Sequence, residues 1–286
     1  MKNKKQKYAC FSIDVERFID TECVRNANQP IEQTMLDGLD RYMEILDRHN
    51  IKATMFVLSD FAEDIYEQLK KHLENGHKLA LHGKEHIAPR KHSNEKFRAQ
   101  IISAKTKLEK MFDTEITGYR APHFSIDRDK LGILNELGFR YDSSRMDFPT
   151  ARYTTYVDMD GFENPTGEIY KKEEFYEFGV PTQKVFGKKY PISGGGYVRM
   201  SNWFFINALI KRYAKKNDYY MFYLHPFELS KEKLPKLGKL KFYDKMYLKK
   251  GNLLYRYKIE NIIKILKKTG YKFTTLEKLV NEDGQE

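Results

Sequence analysis

Apolar and polar positions follow two rhythms over the first half of the chain. Short apolar runs at 8–13, 51–58 and 78–81 have strand length, and Ala53, Met55 and Val57 recur with period two. Between them the spacing is helical. Residues 31–49 place Met35, Leu39, Tyr42, Met43 and Leu46 along one side. A second helix is expected to run to Glu74 and stop before Gly76, with Asp60 and Glu63 as a capping pair. A helix at 94–112, a short strand at 116–119, a helix at 129–137 ended by Gly138 and a strand beginning at 139–141 continue the series. Repeated strand–helix units imply parallel strands covered by helices, an α/β class.

From 143 to 200 the rhythm fails. This stretch is rich in Tyr, Phe, Gly and Pro, includes the run Gly194-Gly195-Gly196, and reads as long loops and irregular strands shaping a substrate groove. Plain turn chemistry explains it equally well. Order returns with a helix at 202–215, a strongly apolar strand over Tyr219–Leu224 that ends at His225, and a Lys-rich segment at 230–250. A helix at 255–268 and a strand at 271–275 close the pattern, and the acidic tail 281–286 is expected to fray. With no repeat and no linker, a single domain over 1–286 is expected.

Composition narrows the function classes. At 286 residues, 41% hydrophobic and 32% charged, the chain can bury a substantial core and is globular. Its net charge of +11 favours anionic partners, although a Lys-rich solvated surface gives the same count. No nucleic-acid-binding signature accompanies the charge. Aromatics at 14% suit ring-bearing ligands, with packing as the commoner use. Cys10 and Cys23 are too few for a disulfide framework and read as free thiols. Asp14 interrupts the apolar stretch that follows the basic N-terminus, so no signal peptide is read. No run reaches the roughly 18–20 apolar residues of a membrane span. A cytoplasmic protein is expected.

Candidate chemistry sits just after strand ends, where active sites form in parallel α/β barrels. Asp14 and Glu16, two apart, would share one side of a continuing strand. One can bind a metal while the other takes a proton. His82 and His86, four apart in His-Gly-Lys-Glu-His, can bring two imidazoles to the same cation. Two His and one carboxylate suit a catalytic zinc, and cobalt, nickel or iron take the same donors. His225 can donate a proton to a leaving amine. Arg120, in Gly-Tyr-Arg-Ala-Pro-His-Phe, would hold Asp14 ionised, and the N–H of His123 could face an oxyanion. Gly195 and Tyr197 are further candidates for contact with substrate or oxyanion. Asp142 could orient His225, as carboxylates do for catalytic imidazoles.

Taken in order, these segments resemble the polysaccharide deacetylase superfamily, the NodB-like carbohydrate esterases of family 4 type. The branch with an Asp-Val-Glu first motif and a Gly-Gly-Gly-Tyr segment is the nearest. The resemblance runs through 11–16, 53–58, 77–86, 118–125, 141–144, 193–200 and 222–229. It implies a distorted (β/α) barrel with fewer than eight units. It further implies Glu16, His82 and His86 as ligands of one divalent ion, Asp14 as base, Arg120 as its orienting partner, and His225 as acid paired with Asp142. The implied reaction is hydrolysis of an N-acetyl group from an amino sugar of a polysaccharide, a peptidoglycan fragment or a lipid- or nucleotide-linked saccharide. Formamido sugars, cyclic ureides, or a catalytically idle glycan-binding role are the alternatives. Three departures stand out: Glu16 replaces the usual Asp, Gly83 replaces Ser or Thr, and Met146 stands where a Trp is common. The Lys-rich segment could also rest on anionic lipid.

Overall fold

The computed structural model describes residues 6–26, 30–148, 157–238, 240–249 and 252–283. Its strands are β1 (Lys7–Val15), β2 (Ala53–Leu58), β3 (Lys78–Gly83), β4 (Gly118–Tyr119), β5 (Tyr141–Asp142), β6 (Glu163–Thr166), β7 (Ile169–Lys172), β8 (Phe175–Phe178), β9 (Thr182–Val185), β10 (Lys188–Pro191), β11 (Tyr219–Leu224) and β12 (Tyr271–Thr274). Its helices are α1 (Glu22–Arg25), α2 (Asp37–Asp47), α3 (Tyr66–Glu74), α4 (Asn94–Phe112), α5 (Arg128–Glu136), α6 (Gly195–Met200), α7 (Trp203–Lys216), α8 (Phe242–Lys249), α9 (Asn252–Lys268) and α10 (Leu276–Asp283).

One sheet runs in the order β11-β1-β2-β3-β4-β5-β8-β7-β6, with β12 also on β1. Pairing is parallel from β11 to β8 and antiparallel from β8 through β7 to β6. The sheet curls into a half-barrel, the distorted barrel that the sequence implies. One edge of β1 is shared by two partners. Lys7 to Cys10 pair with β12, and Phe11 to Val15 pair with β2. Separate β9 and β10 form an antiparallel hairpin.

Period-two alternation decides what faces the site. Ala9, Phe11, Ile13 and Val15 pack into the larger core with the amphipathic side of α2. Cys10, in the alternate set, packs on the concave side with Met221 and Tyr223 of β11. Asp14 belongs to that same alternate set. Its polarity is therefore placed on the inner face of the half-barrel by the register of an otherwise apolar strand.

Several sequence expectations shift. The first helix starts at Asp37, because Met35 has φ +55 and breaks the helical path before it. Asp60 caps nothing. A 3-10 turn over Ala62–Ile65 precedes α3, no side chain caps that helix, and Asp60 pairs with Arg17. The stretch 143–200 is more ordered than its composition suggests, holding β6 to β10 and α6, while residues 149–156 lie outside the described residues. The acidic end is helical to Asp283, and 284–286 lie outside the described residues. Among the described residues no helix is long and apolar enough to cross a membrane.

Candidate active site and metal centre

The site is assembled from the C-terminal ends of neighbouring parallel strands. β1 brings Asp14, with Glu16 just beyond; β3 brings His82; Arg120 follows β4, and His225 follows β11. His86 returns to the site through the turn after β3. Gly83 begins that turn at φ +111, a conformation that Ser or Thr would adopt only under strain. The departure at Gly83 therefore has a backbone reason.

Glu16, His82 and His86 converge, with one donor atom from each within 4.8 Å of the others, and all three are buried. His82 Nδ1 lies 2.8 Å from the Arg120 carbonyl and His86 Nδ1 lies 3.0 Å from the Asp20 carbonyl. A carbonyl only accepts, so each Nδ1 carries the hydrogen and each Nε2 is the ring atom left to bind. His86 Nε2 stands 2.8 Å from Glu16 Oε2, yet that buried oxygen has no hydrogen-bond donor in line. This donor set and its outer carbonyls fit a divalent cation.

Electrostatics agree. Burial works against the Glu16 charge, but His86, His225 and His82 outweigh it and hold the carboxyl well below the usual range. Burial pushes His82 down to about 4, leaving it neutral. Burial also disfavours a charged His86, but Glu16 overcomes this and raises it.

Asp14 rests on Arg120. The fully buried guanidinium donates from Nη1 to Asp14 Oδ1 at 2.6 Å and to Ser12 Oγ at 2.9 Å, and from Nε to the Ser143 carbonyl at 3.0 Å. Its plane lies 4.0 Å from the Phe56 ring centroid, which favours the charge from the apolar side. Across the convergence point, His225 Nε2 is 3.8 Å from Asp14 Oδ2 and 3.8 Å from Glu16 Oε1.

The partner of His225 is Glu228, not Asp142. His225 Nδ1 lies 3.0 Å from Glu228 Oε1, and the His225 backbone N–H donates to the same oxygen at 3.1 Å. Arg199 Nε donates to Glu228 Oε2 at 2.9 Å, and both side chains are fully shielded from solvent. Burial opposes charge on His225, but Glu16, Glu228 and Asp14 push it up to about 9. Asp142 sits elsewhere. It accepts from Ser144 Oγ at 2.7 Å, and Ser144 Oγ in turn accepts from the Ala121 N–H at 2.8 Å. Burial and the adjacent Glu177 charge raise the Asp142 carboxyl far above its ordinary value. Asp142 thus braces the loop that carries Arg120.

Gly195 is also reassigned. It does not line the cavity. A Cβ there would fall 1.9 Å from Glu228 Oε1, so the glycine makes room for the carboxylate behind His225. Tyr197 does line the cavity, as does His123, whose ring lies 4.3 Å from that of His86. Burial and His86 push His123 down to about 3. The cavity holds about 470 Å³, and its upper walls are Phe124, Met146, Tyr197, Tyr223, Tyr243 and Tyr247. Met146, at the position of the usual Trp, therefore leaves a thioether against the cavity. Tyr243, Tyr247, Glu228 and Arg199 were missed in the sequence. Glu228 had a signal, since His225-Pro226-Phe227-Glu228 has the i, i+3 spacing of a 3-10 turn. The other three are placed only by tertiary contacts.

Comparisons with known proteins bear on the family and the fold. The family model described as polysaccharide deacetylase matches residues 32–141, and a model described as a domain of unknown function (DUF3473) matches 144–281. A peptidoglycan deacetylase-like protein of Gibberella zeae is 30% identical over 109 residues, covering 37% of this chain and 32% of that protein. The chain spans about a third of the length of the curated relatives it matches. Among solved structures, a Mycobacterium smegmatis protein described as a polysaccharide deacetylase aligns with TM-score 0.60 at 16% identity, covering 99% of this chain and 92% of that one. An allantoinase aligns with TM-score 0.59 at 14% identity, covering 98% and 91%. A CE4 family pseudoenzyme from Bacillus anthracis aligns with TM-score 0.55 at 12% identity, covering 96% and 66%. At these identities the structures share the fold, and the chemistry rests on the residues of each site.

Proposed function

We propose that this chain, which belongs to the polysaccharide deacetylase superfamily, is a metal-dependent hydrolase that removes N-acetyl groups from amino sugars. The observation that carries the reading is the buried convergence of Glu16, His82 and His86, with Asp14 held beside it by Arg120. Zinc is the cation that the donor set suits best, with cobalt, nickel and iron able to use the same atoms. Such a cation, held by Glu16, His82 and His86, supplies Lewis acidity toward a carbonyl oxygen and makes water easier to deprotonate.

The chain's own groups do the rest. Asp14, held in place by the guanidinium of Arg120, accepts the proton of the attacking water at Oδ2, the oxygen facing His225. His225 donates from Nε2 to the nitrogen of the departing amine. Its Nδ1–H, fixed on Glu228, selects the tautomer and aims the ring. General acid assistance of this kind is worth about 10²–10⁴-fold. The aromatic walls offer ring faces to a sugar. A glycan-binding role without turnover has less support, because Asp14 and His225 lie beside the convergence of Glu16, His82 and His86.

The test is acetate release from N-acetylated amino sugars and their oligomers by the metal-reconstituted full chain. Release that is abolished by Asp14→Asn, with bound metal retained, is the expected result. Formate or a ureide product in place of acetate would move the substrate class. Saccharide binding with no product from a metal-loaded sample would overturn the reading.

A further inference from the structure

We propose that the mouth of the cavity is a docking surface for an anionic membrane. On one side of the mouth the rim is apolar where it meets solvent. Met200 and Ser201 line the cavity, and the chain runs directly from them into α7, where Phe204 is 83% exposed and Phe205 is 45% exposed. On the neighbouring wall, Tyr243 lines the cavity and is itself 58% exposed, and Phe242 beside it is 79% exposed. The start of α9 adds exposed Leu254 and Tyr257.

These elements form one patch rather than scattered residues. The Tyr257 ring packs against Trp203 at 6.4 Å, joining α9 to the start of α7. Lys258 Nζ donates to the Val198, Arg199 and Ser201 carbonyls, joining α9 to α6. Arg199 Nη2 donates to the Tyr247 carbonyl, joining α6 to α8.

Charge selects the partner. Residues 231–249 carry seven lysines against two acidic residues. Both acids are partly answered within the chain: Glu232, though exposed, accepts from the Met35 N–H at 2.9 Å, and Asp244 is buried. Lys241 and Lys245 flank the exposed Phe242 and Tyr243, and both are exposed. Exposed Phe and Leu within a lysine field, with Trp and Tyr at its edge, match what an interfacial membrane surface takes up. Phe and Leu offer no hydrogen bond to a neutral saccharide, and lysines gain nothing from one. Docked this way, the cavity opens at headgroup level, where a lipid-anchored saccharide presents its sugar. That last step rests on the deacetylase reading. The docking does not.

The experiment uses the full chain and vesicles of phosphatidylcholine with phosphatidylglycerol, against phosphatidylcholine alone. Trp203 is the single tryptophan of the chain, so its fluorescence reports the rim directly. The expected result is co-sedimentation with the anionic vesicles only, a blue shift of Trp203, and quenching by brominated acyl chains. The Phe204→Ser/Phe242→Ser double variant should lose at least about tenfold in vesicle affinity while melting as the parent does. Lys241→Gln should lose about fivefold. The double variant should also hydrolyse a soluble substrate unchanged, since neither Phe lines the cavity. No anionic vesicle binding at low salt overturns docking. So does adsorption without quenching and with full affinity in the double variant, which would be charge alone. A double variant that loses affinity for soluble chito-oligomers would make the rim a glycan platform instead. Vesicle binding by a chain that releases no acetate would leave docking standing and remove the deacetylase reading.

Discussion

Two buried arginine–carboxylate pairs support the cavity. Arg120 holds Asp14 on the wall built by β1 and the loop after β4, and Arg199 holds Glu228 behind β11. Each guanidinium meets a buried carboxylate, and at Glu228 the Arg199 charge helps outweigh the burial that would raise the carboxyl. What the carboxylates do differs. Asp14 faces the cavity and can take a proton itself. Glu228 is turned away from it and acts through His225. In the first pair Asp14 is set by the alternation of a long strand, and Arg120 directly follows β4. The second depends on a 3-10 turn and on a helix that begins in a glycine run, so its geometry comes from close packing. The same physical device thus serves direct proton transfer on one wall and orientation on the other.

Breaking one wall at a time separates these roles. His82→Ala should lose both bound metal and turnover, read by metal content and acetate release. His225→Ala should keep metal and lose about 10²–10⁴-fold in turnover. Equal metal content in the two variants alongside activity in the first would reverse the assignment of the walls. Next in size, Arg199→Met leaves Glu228 buried without its cation and should cost about 3–5 kcal/mol in a denaturant melt. A cost within error would mean that the pair is not shielded as described.

Glu228→Gln sharpens the comparison further. It should lower turnover by roughly tenfold to a hundredfold, a part of the general-acid contribution. It should also move the alkaline limb of the pH profile to lower pH. The sign follows from His225 having to be protonated to act, while Glu228 helps keep its pKa up. Asp142→Asn should leave that limb where it is, because Asp142 touches Ser144 rather than His225. A shift in the Asn variant and none in the Gln variant would restore Asp142 as the partner.

The smallest effect concerns stability. A carboxyl whose folded pKa is raised, as for Asp142 and Glu177, adds stability that is complete below its unfolded pKa, near about 4, and lost as pH rises through the folded value. Glu177→Gln removes the like charge and keeps an acceptor for the Ser144 and Arg145 N–H groups. It should therefore gain on the order of 1 kcal/mol over the parent at neutral pH, and little in acid. Melts across that pH range check it, and a constant difference would argue against the raised carboxyls.

The sequence by itself announced the parallel strands and offered Asp14, Glu16, His82, His86 and Arg120 as candidates, with Glu16 picked out as the donor only by the family resemblance. Period-two and helical spacing are local, and they fix which side of an element a residue occupies. Tertiary structure alone decided the rest. Glu228 displaced Asp142 because distance to an imidazole depends on how β11 and its turn pack against α6, where only a glycine at 195 leaves room for the carboxylate. Tyr243 and Tyr247 reached the cavity because α8 folds back over it, bringing a segment that reads as a charged surface stretch against a site whose other parts lie far away in the chain. Contacts between segments so distant leave no periodic trace, so no local pattern could announce them.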